Sequence, residues 1–176
     1  MLITLFCCLL NYNNPVNNLQ NNPNDPTINW SEKKLTFNDF KGKPKTTKGV
    51  EGELATKITW TIAEETGKTP VYTIYNKMVQ NQSWMSIQHE ELLKEYQFIW
   101  NLSELYTRKI RKEVESLYQK KTTNKEVYKA VITKNVTIFH KERMKLKGTL
   151  QNQPDLYKIL DQKYQDSLKI YQKYKQ

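Results

Sequence analysis

Apolar residues between Ser83 and Tyr118 recur at steps of three and four, and no proline or glycine interrupts them. This spacing is the period of one buried face of an α-helix, so the stretch is predicted to form one long helix. The residues of that face are Leu92, Tyr96, Ile99, Tyr106, Ile110, Val114 and Leu117. Others widen the apolar surface, namely Leu93, Phe98, Trp100, Leu102 and Leu105. We therefore expect a central core helix that is covered on more than one side.

Two shorter segments before this helix alternate apolar and polar residues. Thr56–Ile62 places isoleucine and tryptophan between threonines, and Val71–Tyr75 has a similar composition. Both are typical of half-buried strands, and the polar residues Glu65–Lys68 between them are typical of a turn. The sequence thus predicts an antiparallel hairpin packed on the central helix.

A second helix is predicted after Tyr118. Thr123 and Glu126 have the spacing of a capping box, in which the two side chains bond the backbone of the first turn. Gly148 would stop the helix after about Lys147. Between these limits the helix would run through Val127, Val131, Ile138 and Met144.

The last helix is predicted to have Pro154 in its first turn, where a missing N–H costs nothing. Its apolar face is dominated by tyrosine and consists of Tyr157, Leu160, Tyr164, Leu168 and Tyr171. A tyrosine stripe at helical spacing is more typical of a core-facing surface than of a ligand platform.

The beginning of the chain has a different composition. Leu2–Leu10 is an apolar run that has the length of a signal-peptide core and is too short to span a bilayer. Its Leu-Phe-Cys-Cys sequence is similar to a bacterial lipobox, in which Cys8 would carry the lipid. Asn11–Thr27 is rich in asparagine and proline, which favours a tether. We therefore expect an exported protein. If Cys8 carries a lipid, the protein is also anchored to a membrane. A single domain is expected over residues 28–176.

Charge and cysteine content limit the functions that can be considered. The net charge is +10, with ten basic and ten acidic residues in positions 1–100 but 18 and 8 in positions 101–176. Basic helices could meet nucleic acid, an anionic membrane or an acidic polymer, or could simply present solvated lysine-rich faces. The only cysteines are Cys7 and Cys8, so the folded body has neither a disulfide framework nor a cysteine zinc site.

Two stretches carry a resemblance to a known family. Leu92–Arg111 reads LLKEYQFIWNLSELYTRKIR and resembles the signature helix of the domain of unknown function 922 family, which reads roughly LLxHEQxHFDIxELxARKLR. The family consists of secreted bacterial proteins that are predicted zinc-dependent proteases. The matching residues are Leu92, Leu93, Gln97, Glu104, Leu105, Arg108, Lys109 and Arg111.

The second stretch, Ile28–Lys45, resembles the N-terminal motif of the same family. The matching elements are Trp30, Leu35-Thr36-Phe37, Asp39-Phe40 and Gly42-Lys43-Pro44. Taken from the residues alone, these are apolar anchors followed by a turn. A further family motif, Tyr-Asp-x-x-Thr-x-His-Gly, is not preserved in the nearest segment, 143–149.

The metal-binding positions of the family helix are changed in this chain. Glu95 stands where the family has its first histidine, Tyr96 where it has the general-base glutamate, and Ile99 where it has the second histidine. Two histidines four residues apart bind one zinc ion together, while the glutamate polarises the metal-bound water. Isoleucine offers no ligand atom, and a phenol that ionises near ~10 is a poor base at neutral pH. The comparison therefore predicts that zinc chemistry has been lost.

Few other side chains suggest catalysis. His89 begins a His-Glu sequence, but Leu93 stands where a second histidine would be needed, and His140 lies among lysines. Glu104 and Arg108, at i and i+4 on the central helix, match the family pattern and are interpreted as a structural ion pair worth a few tenths of a kcal/mol if exposed.

These observations lead to one expected fold and three hypotheses about function. The fold is predicted to be α+β and zincin-like, with a small N-terminal antiparallel sheet on a long central helix and two further helices. The favoured function is non-catalytic binding at the cell envelope, with no cofactor and with an extended peptide or envelope protein as partner, because zincin edge strands hold extended peptides. The alternatives are an active zinc hydrolase using Glu95 with His89 or His140, and a basic module that binds nucleic acid or another anionic polymer.

Overall fold

The computed structural model describes residues 25–30, 34–46, 48–146 and 153–176. The predicted signal-like segment, most of the tether and the stop at Gly148 lie outside these ranges. The described residues form a small antiparallel sheet and three helices, the first of which is long and central. The prediction of an α+β fold with this arrangement is therefore confirmed.

The sheet has three strands, β1 (Thr27–Asn29), β3 (Thr56–Ala63) and β4 (Val71–Val79), in the spatial order β1-β4-β3. The predicted hairpin is formed by β3 and β4, which are antiparallel, with Trp60 opposite Ile74. A separate two-stranded ribbon pairs β2 (Gly52–Glu53) with β5 (Trp84–Met85). β1 begins at the last residue of the predicted tether.

The central helix, α1, spans Glu90–Gln119, so the prediction that it starts at Ser83 was wrong. Ser83 is fully buried; its hydroxyl donates to the Val79 carbonyl (2.8 Å) and accepts the Ala55 N–H (3.0 Å). The bond to Ala55, 28 positions away in sequence, helps to fix the chain in an extended path into β5. A pattern without helix breakers does not reveal such contacts.

The burial of α1 agrees with a core position. Every residue from 98 to 108 is buried, which no one-sided surface helix would show. The sheet, the second helix and the third helix each pack against α1. Its hydrophobic face joins two core clusters, one centred on Phe98 and Leu102 and the other on Ile110.

The second helix, α2, spans Lys125–Leu146. Its cap is Asn124, whose side-chain oxygen accepts the Glu126 N–H (2.9 Å), rather than the predicted Thr123. The buried residues are Tyr128, Ile132, Asn135, Phe139 and Leu146. By contrast Val127, Ile138 and Met144, through which the helix was expected to run, are exposed. The larger rings of Tyr128 and Phe139 fill the core, whereas Val131, one position before Ile132, packs only at its margin.

The third helix, α3, spans Pro154–Ile170 and is followed by a short 3-10 turn, Gln172–Tyr174. As predicted, its tyrosine face turns inwards, with the rings of Tyr157 and Tyr164 packed on Phe98. No helix in the described part of the chain is long and apolar enough to cross a bilayer.

Candidate functional site

Two of the three positions that the family resemblance assigns to a metal site lie in the hydrophobic core. Ile99 is 5% exposed and belongs to the cluster around Phe98. Tyr96 is 9% exposed, and its ring stacks on Phe40 with centroids 5.5 Å apart. The Tyr96 hydroxyl presses against Gly52 so closely that a Cβ at that position would lie 2.6 Å from it. These positions are therefore filled by packed side chains.

The electrostatics of this region do not favour a general base. Burial, reinforced by Glu95, raises the pKa of Tyr96 above its ordinary value, whereas Arg143 acts in the opposite direction. Burial also raises the pKa of Glu95. Tyr96 thus stays a neutral phenol at neutral pH, and Glu95 is a weaker acid than an exposed glutamate.

The two histidines do not join these positions to form a ligand set. His89 is exposed in extended backbone just before α1, and its side chain makes no capping bond. His140 is half-buried on α2, where burial first and Arg143 second lower its pKa, so it is neutral at pH 7. Within the described ranges, no three His, Cys, Asp or Glu side chains are grouped so that they could hold a metal ion.

The second half of α1 carries a buried ionic cluster. Glu104 accepts hydrogen bonds from Arg108 Nε at 2.9 Å and from Arg111 at 3.0 Å, both to the same carboxylate oxygen. The side chains of Glu104 and Arg108 are only 2% and 1% exposed. The ion pair predicted from the i, i+4 spacing is thus present, but it is buried and includes a third member, Arg111. Burial lowers the pKa of Arg111, and Glu104 opposes that effect.

This Glu104–Arg108–Arg111 cluster connects distant parts of the chain. Arg108 donates to the carbonyl oxygen of Leu168 at the end of α3 (2.7 Å). Arg111 donates to the carbonyls of Ile74 in β4 (2.9 Å) and Tyr174 near the C-terminus (2.9 Å). The cluster therefore holds α1, the sheet and the C-terminal segment together, and its charges are used in the protein's own bonds.

The N-terminal motif docks on the first half of α1. The Trp30 indole N–H donates to the Asn101 side-chain oxygen (3.0 Å), which also accepts from Gln97 (2.9 Å). Gln97 in turn accepts the Leu35 N–H (2.6 Å). The Gly42 N–H donates to the Ser83 carbonyl at 2.8 Å. A Cβ on residue 42 would lie 2.8 Å from the Asn81 carbonyl oxygen, so a larger residue would collide with the backbone. The two stretches that resemble the family thus contact each other and form scaffold.

Of the two outer strands of the sheet, β1 and β3, β3 is the more promising surface for binding. Among the described residues β3 pairs with β4 alone, so the sheet ends at this strand. Helix α2 is tied to both ends of it: Lys125 lies 3.2 Å from the Glu64 carboxylate, and Arg143 donates to the Leu54 carbonyl at 2.7 Å. The two ends of α2 are therefore held close to the two ends of β3.

The hydrogen bonds that β4 makes away from β3 show which N–H and C=O groups of β3 point to its outer edge. The carbonyls of Ile74 and Asn76 in β4 accept bonds from Arg111 and from the Trp30 N–H, so these residues face away from β3. Their cross-strand partners, Trp60 and Ile58, are then non-hydrogen-bonded pairs whose own N–H and C=O groups point to the open edge.

A shallow cleft of about 310 Å³ lies elsewhere, between the start of β4, the second half of α1 and the C-terminal residues. Val71, Tyr118 and Tyr174 provide its apolar lining. Its charged groups are already engaged, Arg111 with Glu104 and Glu115 with Lys173 at 3.2 Å. The cleft consequently offers little for a polar ligand.

Sequence reasoning named Arg111 only as a match to the family pattern, and it expected a peptide-binding edge strand without identifying which strand that is. Arg111 bonds backbone carbonyls far away in sequence, and a hydrophobic pattern does not show which strand ends a sheet. Comparison of the chain with protein-family models, with curated proteins and with solved structures finds no match.

Proposed function

We propose that this protein is a non-catalytic relative of the domain of unknown function 922 family, exported to the cell envelope, where it binds an extended peptide segment of another protein. The observation that carries the proposal is the burial of Ile99 and Tyr96 in the core at the positions of a zinc ligand and a general base. A side chain that packs in the core without a donor atom is suited to hold the helix in place, not to present a metal.

Binding is assigned to the open edge of β3. An unpaired strand edge exposes a row of N–H and C=O groups that an extended peptide can satisfy by adding a strand. The backbone groups of Ile58 and Trp60 point to that edge, and α2 lies beside it. Main-chain bonds would give affinity, and contacts with α2 would give selectivity.

An edge-blocking substitution tests this assignment. A phage-displayed library of unstructured peptides would be selected on the full chain, and one selected peptide would be measured by fluorescence anisotropy. Ile58→Pro removes an N–H that points away from β4 and leaves the hydrogen bonds between β3 and β4 intact. We expect peptide affinity to fall roughly tenfold or more, because one or two main-chain hydrogen bonds to the peptide are lost.

The matched control is Asn29→Pro on β1. In this strand the even-numbered residues make the bonds to β4, so the Asn29 N–H points away from β4, to the edge of the sheet opposite β3. This variant should bind like the unmodified chain. Failure to select any peptide, or equal losses in the two variants at unchanged circular dichroism, would contradict the assignment.

A separate measurement addresses the active-hydrolase alternative. The chain would be purified without a histidine tag and its zinc content determined by mass spectrometry, followed by incubation with unfolded casein. We expect zinc far below one equivalent and no cleavage. Stoichiometric zinc together with cleavage that Glu95→Gln abolishes would establish the hydrolase instead.

A further inference from the structure

We propose that the outward faces of α2 and α3 form a surface that docks on an anionic phospholipid bilayer. We call it the basic aliphatic surface and define it by Ile138, Lys141, Lys145, Ile159, Lys163 and Ile170. It shares α2 with the β3 edge, but Lys125 and Arg143, which contact the residues flanking β3, lie on a different side of α2 from Ile138 and Lys145. The surface therefore stands independently of the proposed peptide binding.

The aliphatic members are exposed to an unusual degree. Ile159 and Ile170 are 66% and 78% exposed, and Ile138 is 39% exposed. Ile159 and Ile170 are three helical turns apart and therefore lie on nearly the same line of α3. Large aliphatic side chains aligned on an outer helix face are typical of a surface that enters the interfacial region of a bilayer.

The two helices that carry these isoleucines pack on the same core cluster of α1, to which Phe139 and Leu146 of α2 and Tyr164 and Leu168 of α3 belong. Burial lowers the pKa of Lys109 on α1, Glu142 of α2 raises it and Lys163 of α3 lowers it, which agrees with Glu142 and Lys163 lying on the facing sides of the two helices. Ile138 and Lys145 share the Glu142 side of α2, at four residues before and three after it. On α3, Ile159 and Ile170 lie four residues before and seven after Lys163.

The charge of this part of the chain complements an anionic surface. Residues 125–176 contain 12 basic and 5 acidic residues. Lys141, Lys145 and Lys163 are all exposed. Helical spacing places Lys141 one turn from Ile138 and Lys163 one turn from Ile159, and the two acidic side chains next to the isoleucines of α3, Asp155 and Asp166, are paired with Lys158 and Lys169. Each lysine near an anionic membrane contributes about 1 kcal/mol of attraction, which adds to the burial of the aliphatic side chains.

The side-chain chemistry favours lipid over nucleic acid. Single strands are held by exposed aromatic rings on which bases stack, but Tyr157, Tyr164 and Tyr171 of α3 pack towards the core. The exposed basic side chains here are lysines, which lack the planar donor fork that arginine offers to bases and phosphates. Isoleucines between them would gain nothing from a phosphate backbone.

Vesicle sedimentation with the full chain tests the proposal. We expect more binding to phosphatidylcholine vesicles that contain phosphatidylglycerol than to pure phosphatidylcholine vesicles. The double variant Ile159→Ser, Ile170→Ser should weaken binding to the anionic vesicles roughly tenfold, because two side chains lose their apolar contact with lipid. Its matched control is Ile87→Ser, an isoleucine that is 64% exposed just before α1 and that should leave binding unchanged.

Charge reversal provides the second arm. Lys141→Glu with Lys163→Glu should abolish the preference for anionic vesicles, whereas Lys43→Glu with Lys48→Glu changes the net charge equally at exposed positions outside the surface and should not. Equal binding to both kinds of vesicle by every variant would overturn the proposal and assign any binding to the N-terminal apolar segment. The proposal would also fail if the serine variant bound normally while charge reversal weakened binding to vesicles and to a DNA oligonucleotide alike.

Discussion

The two halves of α1 resemble the same family helix, yet they behave differently in the fold. In the first half, the positions that would bind a metal are occupied by Tyr96 and Ile99, which are packed in the core. In the second half, Glu104, Arg108 and Arg111 keep the charges of the pattern and bury them in a network that joins α1 to β4 and the C-terminal segment.

This difference shows what a partial match to a family pattern can report. Under the proposed relationship, Ile99 would stand for a zinc ligand, and its packing in the core would keep the fold without the metal chemistry. Removal of one member of a buried ionic cluster leaves its partners without a counter-charge in the core, which destabilises the whole domain. The charged residues that match the pattern, Glu104, Arg108 and Arg111, are thus ones whose loss would damage the scaffold.

The largest effect is expected in the second half of the helix. Glu104→Gln keeps the shape of the side chain but leaves Arg108 and Arg111 buried without their common carboxylate. We expect the free energy of unfolding, measured by urea denaturation, to fall by about 3–5 kcal/mol.

The matched control for this variant is Glu113→Gln, also on α1. Glu113 pairs with Lys134 at 2.6 Å, but the pair is much more exposed, with side chains 35% and 55% accessible. Its loss should cost about 1 kcal/mol or less. Similar costs for the two substitutions would contradict the view that the second half of α1 is held by buried charge.

The next effect concerns the first half. Ile99→Ala removes a core side chain and should lower the free energy of unfolding by about 2–4 kcal/mol. The exposed Ile87→Ala serves as the control and should change it by less than about 0.5 kcal/mol. If Ile99→Ala were as mild as the control, the position would be free to hold a metal ligand, and the contrast between the two halves would disappear.

The hairpin and the central helix could be predicted because their hydrophobic periods are long and unambiguous. The burial of Ile99 followed from the same stripe. Helix α2 runs through Val127, Val131 and Ile138 as predicted, but its buried face was not predicted, because these residues have the same helical spacing as the buried Tyr128, Ile132 and Phe139. Only packing against α1 decides which of two adjacent rows is covered.

The features that could not be predicted from the sequence depend on tertiary contacts. The bonds of Ser83 to Ala55 and Val79 keep its segment extended although its composition is compatible with helix. Arg111 bonds the Ile74 carbonyl 37 positions away in sequence, and every residue type has such a carbonyl. For the same reason the candidate site at the β3 edge became visible only once the strand order was known.

A smaller effect is expected where β2 meets the first half of α1. A Cβ at Gly52 would lie 2.6 Å from the Tyr96 hydroxyl and 2.8 Å from the Trp84 carbonyl. Gly52→Ala should therefore cost about 1–3 kcal/mol of unfolding free energy, measured by urea denaturation. Combining it with Tyr96→Phe removes one of the two collisions, so the double variant should lose less than the sum of the single losses. Strict additivity would show that the hydroxyl does not press on the ribbon.

The smallest effect is a dependence on pH at Glu95. Because burial raises the pKa of this carboxyl in the folded protein, ionisation costs more there than in the unfolded chain. The resulting destabilisation is absent below the unfolded-state pKa of about 4.3, grows as the pH rises through it and is complete above the folded-state pKa. Glu95→Gln should thus raise the melting temperature slightly at pH 7 and leave it unchanged at pH 3.5.

The exposed Glu91, in the first turn of α1, should give the opposite sign at pH 7, since Glu91→Gln removes a favourable charge from the helix N-terminus. A lower melting temperature for Glu95→Gln at pH 7 would mean that the carboxylate has a favourable ionic partner, as a metal-binding first half of the helix would require.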